Sequence, residues 1–562
     1  MIPTSEQEKI FNFIKFDSNH GIIDAVAGSG KTTTIINSID FVQNDKTLLF
    51  CAFNKSIRDE IQERILNKKK NNIVVKNLHQ LGFDILKSNS ELPYKVLDRK
   101  YNDLINKSLS TYNERNIIKY LELYYVDVNP KKNSFEENIL KTHVAIFKNK
   151  LLDIVNKFRL TLTKDNFDDF KQMLFHYNII DIKKTPEKNI DKIVNVLFEA
   201  SQLIIEEGNT LAKKLNIIDL SDMLYLPRVF EYYPNYSYDI LFIDECQDLS
   251  KSQLAVALKY VKKTGRVIAV GDPFQSIYGF TGADIDSFER FGQILKNNIK
   301  LTLSFCFRCP NNVIEFAQNF RRDIKPFKDK NGIIEKIEFE KVINVVQNSD
   351  LIISRTKAPL TILLFILIEN NKRVDIHQDD VKDLFNELKF LFTNEELNEI
   401  NILKNNYDFF EKVKDRNLHF LNQKVKKLSN SENKEEFINS ETKYIERRLN
   451  FLQRQISVQQ NVINLNDLIK RIEYLVTDNK DAIKLSTIHK AKGLENERVF
   501  ILDFNKLPIK NDNQQPWEVK QEINLKYVAL TRAKHTLYLV DSIKEEQNKT
   551  EGNLFDEIED IW

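Results

Sequence analysis

Short apolar runs, each ended by glycine, acidic or polar residues, alternate with longer amphipathic stretches toward both ends of this chain. That alternation predicts parallel strands joined by helices. Gly21–Asp24, Thr47–Ala52 and Ile73–Lys76 read as strands, each followed by a helical stretch, and strands return at Ile240–Ile243 and Arg266–Val270. A second α/β region is expected to open near Asn298, with Leu301–Leu303 and Leu351–Ser354 as strands, and to resume at Ile483–Ser486, Val499–Asp503 and Thr536–Val540. Residues 91–215 are helical, polar and tyrosine-rich, and residues 379–478 are helical and highly charged, with an Asn/Ser/Glu-rich break near 429–441. The expected layout is a first core of 1–90 with 216–297, its insertion 91–215, a second core of 298–378 with 479–545, a short insertion 379–478 and an acidic tail 546–562. No internal repeat is evident beyond the likeness of the two cores.

Two of these strands end in residues that carry chemistry. The apolar run Ile240–Ile243 leads straight into Asp244-Glu245-Cys246-Gln247-Asp248. A buried parallel strand ending in two carboxylates is how a P-loop NTPase holds Mg²⁺ and a catalytic water at the sheet's C-terminal edge. Upstream, Ile22-Ile23-Asp24 runs into Ala25-Val26-Ala27-Gly28-Ser29-Gly30-Lys31-Thr32. The backbone N–H groups of such a loop wrap phosphates, the lysine reaches the β and γ phosphates, and the threonine hydroxyl ligates Mg²⁺. Ala25 stands where the first glycine is usual, so the loop alone is an irregular match; the acidic pair completes it. A nucleoside triphosphate and Mg²⁺ are therefore the expected cofactors, and the resemblance described below makes the nucleotide ATP.

Composition narrows the rest. At about 150 residues per domain, 562 residues allow three or four domains. A hydrophobic content of 42% with 29% charged residues suits a soluble globular protein with ample core. The longest apolar run, Ile362–Ile368, is far short of the ~20 residues of a membrane span. The N-terminus MIPTSEQEKIF has no basic or apolar targeting region, so a cytoplasmic protein is expected, without a membrane partner. A net charge of +2 requires any nucleic-acid contact to be a local groove. Cysteines stand at 51, 246, 306 and 309; Cys306 and Cys309 form a lone C-x-x-C where zinc or iron–sulfur sites need four ligands, and free thiols are expected.

Further segments fall in a fixed order around the phosphate motifs: Val270-Gly-Asp-Pro-Phe-Gln275-Ser-Ile-Tyr278-Gly-Phe280, Leu303-Ser-Phe-Cys-Phe307-Arg308, Thr487-Ile-His489-Lys-Ala-Lys492-Gly493-Leu-Glu495 and Tyr527-Val-Ala-Leu-Thr-Arg532-Ala-Lys534. From Gln7 to Val540 the set resembles superfamily 1 helicases of the UvrD/Rep/PcrA kind. The resemblance implies an α/β fold of two RecA-like P-loop parallel-sheet cores, 1A and 2A, each with a helical insertion, 1B and a reduced 2B. It implies that the amide of Gln7 reads adenine, Phe307 stacks on it and Glu495 contacts ribose, beside Ala27, Gly28, Ser29, Gly30, Lys31, Thr32 and Thr33 of the phosphate loop. Asp244 and Thr32 would hold Mg²⁺, and Glu245 would activate water. Gln275 would sense the γ-phosphate, and Arg308 and Arg532 would approach it from the second core.

Phe53, Asn54, Lys55, Asn77, His79, Tyr278, Phe280, Thr487 and His489 fall where that family lines a single-strand groove. Stacking there is worth ~1–3 kcal/mol per base with little sequence preference. Core packing is the competing reading for Phe53, Tyr278 and Phe280. Lys424, Lys426, Lys427, Arg447, Arg448 and Arg454 are candidates for duplex phosphates against a competing reading as solvated helix faces. Two departures stand out: Phe280-Thr281-Gly282-Ala283 replaces Trp-Arg-Gly-Ala, and Thr33 replaces an arginine that packs on adenine.

The resemblance implies an ATP-driven translocase on single-stranded DNA and a 3′→5′ helicase acting at single/double-strand junctions. A DNA-stimulated ATPase that gates a separate nuclease, in a repair or phage-defence complex, is the alternative.

Overall fold

The computed structural model describes residues 2–52, 55–66, 68, 72–111, 134–180, 185–282, 287–377, 385–386, 388–398, 406–426, 434–458, 464–476, 481–511 and 513–542. The calls on Phe53, Asn54, Ala283, Lys427 and the acidic tail lie outside these residues, as do the side chains of Lys424, Lys426 and Arg447.

Runs of Leu, Ile, Val and Phe without alternation build strands buried on both faces, the mark of parallel sheets covered by helices. The strands are β1 His20–Ala25, β2 Leu48–Ala52, β3 Ile73–Asn77, the short pair β4 Lys95–Val96 and β5 Ile217–Ile218, then β6 Tyr238–Ile243, β7 Val261–Gly271 and β8 Asn298–Leu303. After them come β9 Phe305–Cys306, β10 Lys325–Pro326, β11 Ile333–Ile337, β12 Leu351–Ser354, β13 Val374–Ile376, β14 Ile483–Thr487, β15 Asn496–Ile501 and β16 Ala533–Val540. Two six-stranded parallel sheets result, ordered β3-β2-β6-β7-β1-β8 and β11-β16-β15-β12-β14-β13.

The described residues divide by contacts into two units. The first takes residues up to 308 together with 317–328 and 510–527; the second takes 309–316, 329–509 and the residues from 528 on. One expectation is corrected here. Leu301–Leu303 is not the opening strand of the second core: β8 pairs with β1 in the first sheet, with His20 opposite Asn298 and Ala25 opposite Leu303. Phe307 and Arg308, expected on the second core, group with the first unit. Apolar patterning marks a strand but not its neighbour, and here the neighbour was chosen by an edge left open beside β1. The edge strands β11 and β13 were not anticipated, being short and partly exposed.

The two insertions are built differently. Helices Lys100–Thr111, Ser134–Thr161, Phe167–His176 and Glu187–Leu215 enclose a hydrophobic core around Leu151, Phe170 and Leu197, to which Leu86, Met223 and Leu226 of the flanking helices contribute, apart from the two clusters on the faces of the first sheet. The apolar residues of Asn406–Lys426, Lys434–Val458 and Leu465–Leu475 instead join the core beneath the second sheet. Arg448 is part of that packed layer at 5% exposure, which corrects its candidacy as a surface phosphate contact. Arg454 stays exposed and lies 3.5 Å from Glu369.

Candidate functional site

β7 lies between β6 and β1, so three chain segments leave the first sheet side by side at its C-terminal edge: the glycine loop, the acidic pair and Asp272. Gly28 (φ 66°) and Gly30 (φ 73°) take left-handed backbone, which turns successive N–H groups to one side before helix Lys31–Ser38 begins. Gly28 is required twice, because a Cβ there would lie 2.7 Å from Cβ of Arg308. Phe307 N donates to Gly28 O at 2.9 Å, and Ala27 N donates to the Tyr527 hydroxyl at 3.1 Å.

Lys31, buried in the loop, places Nζ 3.1 Å from Glu245 Oε1. Burial pulls its ammonium pKa down, but Glu245, Asp272 and Asp244 outweigh that, and the net shift is upward. Thr32 Oγ1 donates to Asp244 Oδ2 at 2.5 Å, and Glu245 N donates to Asp244 Oδ1 at 2.9 Å. Burial, then the Glu245 charge, pushes the Asp244 carboxyl up to about 6. Glu245 itself sits at φ 51°, a left-handed conformation that costs a non-glycine residue on the order of 1–2 kcal/mol. The turn that follows aims its carboxylate at Lys31.

Residues without a role in the sequence reading complete the site. Gln247 donates from Nε2 to Glu245 Oε2 at 2.5 Å and accepts from Asp272 N at 3.0 Å, so one amide ties the acidic pair to the next strand end. Asp272 accepts from Gln275 Nε2 at 2.6 Å and from Arg321 Nη1 at 2.5 Å. Arg321, 1% exposed, also binds Asp24 Oδ1 at 2.7 Å and the Ala25 carbonyl at 3.2 Å, holding β1 to the Asp272 loop. No local pattern marks Arg321, whose partners Asp24 and Asp272 lie elsewhere along the chain.

The predicted nucleotide residues are partly gathered. Gln7 sits in the capping box of helix Ser5–Phe16 and donates from Nε2 to Thr34 Oγ1 at 2.9 Å, one turn into the phosphate-loop helix. A Cβ on Gly30 would lie 4.0 Å from the Phe307 ring. Thr33 is exposed and accepts from Arg64 Nη1 at 3.1 Å, so a guanidinium reaches the place where the family pattern has its own arginine. Within the second unit, Glu495 pairs with Lys534 at 2.8 Å. Arg532 is 1% exposed and donates to the carbonyls of Val528 and Leu494 at 2.9 and 3.1 Å.

Of the groove candidates, Lys55 is exposed at the start of helix Lys55–Leu66 and Phe280 is 47% exposed, 6.4 Å from the Tyr278 ring. Burial, then the charges of Asp248 and Glu245, raises the Tyr278 phenol, which places it within the electrostatic reach of the acidic pair. Asn77 caps helix Leu78–Ser88, and burial lowers the pKa of His79 within it against the pull of Asp219. In the second unit, burial and then Arg355 and Lys492 bring His489 down to about 3, so it is neutral at physiological pH; Thr487 Oγ1 caps Lys490 N at 3.4 Å. Cys51, Cys246, Cys306 and Cys309 are buried and form no disulfide, and Cys309 Sγ lies 3.6 Å from the Thr531 carbonyl.

A glycine loop facing a carboxylate pair at one edge of a parallel sheet, with a single strand between them, defines a P-loop nucleoside triphosphatase, and a second parallel α/β core makes it one with two RecA-like cores. Comparison with known families agrees: the UvrD/REP helicase N-terminal domain matches residues 4–296 and the UvrD-like helicase C-terminal domain matches residues 283–544. The chain belongs to the UvrD-like helicase family, whose members are ATP-dependent DNA helicases. It is similar to a probable DNA helicase II homolog of Mycoplasma capricolum, at 22% identity over 92% of this chain and 81% of the relative. It is similar likewise to the ATP-dependent DNA helicase PcrA of Staphylococcus aureus, at 22% identity over 92% of this chain and 80% of that protein. The F-box DNA helicase protein 1 of Schizosaccharomyces pombe matches at 25% identity over 57% of this chain, which spans only 33% of that longer protein.

Proposed function

We propose that the protein couples Mg²⁺-dependent ATP hydrolysis to movement along single-stranded DNA and opens duplexes from single/double-strand junctions with 3′→5′ polarity. The observation that carries the reading is the set Lys31, Thr32, Asp244 and Glu245, four groups from the ends of β1 and β6 whose polar atoms meet within 3.3 Å. The site suits both cofactors. Ser29 Oγ is buried without a hydrogen-bond partner in the middle of the phosphate cradle. The half-buried Glu245 pairs with the Lys31 ammonium, which also feels the charge of the buried Asp244, and the Asp244 carboxyl and Thr32 hydroxyl are the oxygen ligands Mg²⁺ takes alongside substrate phosphates. When bound, the ion supplies Lewis-acid stabilisation of charge on the β and γ phosphate oxygens.

The chain's own groups do the remainder. Lys31 leaves Glu245 for the phosphates, and Glu245, oriented by Gln247, is then free to accept a proton from the attacking water. Gln275 exchanges Asp272 for the γ-phosphate or the water. Arg308 and Arg532 stabilise charge on the transferring phosphoryl group. Phe307 and Arg64 flank the base, Arg64 reaching Thr33 from a different helix than the one the family pattern uses. A strand-displacement assay on a duplex with a 3′ tail tests the reading; hydrolysis that rises with single-stranded DNA but never displaces a strand from either end would favour the gating alternative.

A further inference from the structure

Helix Pro516–Leu530 presents Trp517, Gln521, Asn524 and Tyr527 at steps of four, three and three residues, hence along one face. Each of the four grips a different part of the first unit. The Tyr527 hydroxyl accepts from Ala27 N inside the phosphate loop at 3.1 Å. Asn524 Nδ2 donates to the carbonyls of Ser276 and Pro273 at 2.9 and 3.3 Å, and Gln521 Oε1 accepts from Gly279 N at 2.9 Å. Trp517 Nε1 donates to the His176 carbonyl at 2.6 Å, and its ring stacks on that histidine with centroids 5.5 Å apart. His176 ends a helix of the first insertion. Gly279 permits the close approach: a Cβ there would sit 2.8 Å from the Trp517 ring.

We propose that this helical face is a strut that transmits the state of the phosphate loop to the 273–281 loop and the first insertion, with Gln521 and Asn524 as positioning residues for stimulation of hydrolysis by DNA. The argument starts at Ala27. Its N–H belongs to the loop that must wrap phosphates, yet it is held by Tyr527, so any rearrangement of that loop pushes or releases one end of the helix. A helix moves as a rigid rod, and from Tyr527 to Trp517 it spans about 15 Å at 1.5 Å per residue. Between those ends Asn524 and Gln521 hold the backbone of the loop that begins with Asp272 and Gln275 and ends with Tyr278 and Phe280. The strut therefore joins groups beside the γ-phosphate position to candidate DNA-facing aromatics through backbone contacts. It also fixes the insertion at the far end, where Asn178 donates to Glu518 at 2.8 Å.

The inference rests on the DNA-stimulated ATPase reading above, and the experiment separates the two. ATP hydrolysis is measured with and without an oligo-dT single strand for the wild type, Gln521→Met, Gln521→Glu and Trp517→Phe, beside their melting temperatures. Methionine keeps length but offers Gly279 N only a weak thioether acceptor in place of the amide oxygen; glutamate keeps an oxygen acceptor. Coupling residues of this kind contribute roughly 0.5–2 kcal/mol, so Gln521→Met should lose about threefold to thirtyfold of the stimulation with basal hydrolysis and melting unchanged. Gln521→Glu should restore it, and Trp517→Phe, which keeps the ring but not the N–H, should lose less. Full stimulation in Gln521→Met, or an equal fall of basal and stimulated rates with lower melting, would overturn the strut while leaving the ATPase reading intact. A wild type that DNA does not stimulate would overturn both.

Discussion

Strands β6 and β15 end alike and do different things. Each is followed by an acidic residue in left-handed backbone, Glu245 at φ 51° and Asp503 at φ 51°, and then by a short 3₁₀ turn, Cys246–Asp248 or Phe504–Lys506. Glu245 faces Lys31 at 3.1 Å and Gln247 at 2.5 Å. Asp503 instead pairs with the exposed Lys506, 3.6 Å away and three residues on, a local ion pair of the kind that contributes little. The difference comes from another strand of the same sheet. β1 opens into a glycine loop that brings an ammonium to the acid, whereas β12 opens into Arg355-Thr356 and helix Lys357–Glu369, with no glycine to turn N–H groups inward. The same turn carries the proposed catalytic carboxylate in one core and a local ion pair in the other, so strand-end geometry alone does not make a site.

The largest test of this contrast removes each acid in turn. Glu245→Gln should lower steady-state ATP turnover by about 10²–10⁴-fold while ATP still binds, and Lys31→Ala should abolish turnover. Asp503→Asn should leave turnover within about twofold, on the scale of a surface ion pair; a loss comparable to Glu245→Gln would make the second strand end part of the chemistry. Next, Arg532→Ala should cost about 10³-fold in turnover, on the arginine-finger scale, with little change in KM, read by single-turnover kinetics.

A smaller effect sharpens the picture at the base. Arg64→Ala should raise the KM for ATP about threefold to tenfold, the size of one partly desolvated cation–π contact, without changing kcat. Arg64→Lys should recover only part of this, since an ammonium lacks the planar group that covers a base.

The smallest effect lies at the opposite end of β6. Burial would raise the Asp239 carboxyl, but the Thr47 N–H and hydroxyl and the Lys262 ammonium hold it down to about 2, whereas Asp244 on the same strand is pushed up to about 6. A carboxyl with a depressed folded pKa stabilises the fold above the ordinary carboxylate range near 4, and that contribution is lost as pH falls toward about 2. Asp239→Asn should therefore lower the melting temperature slightly at pH 7 and not at pH 2. An equal difference at both pH values would assign the effect to packing.

Sequence alone determined the elements whose signals are local. Uninterrupted apolar runs marked the buried strands, and glycines spaced around Ser29 with Asp244-Glu245 after a strand marked the candidate phosphate site, because both depend on residues adjacent along the chain. It also placed two α/β cores and two helical insertions in order. Tertiary structure decided what depends on residues far apart: that β8 closes the first sheet beside β1, and that Arg321 joins Asp24 to Asp272 across some 300 residues of chain. It also decided that Arg64 reaches Thr33 from another helix and that one face of Pro516–Leu530 grips the phosphate loop 500 residues upstream. A hydrogen bond or an open sheet edge selects its partner by position in space, and no short-range pattern of residue types encodes that choice.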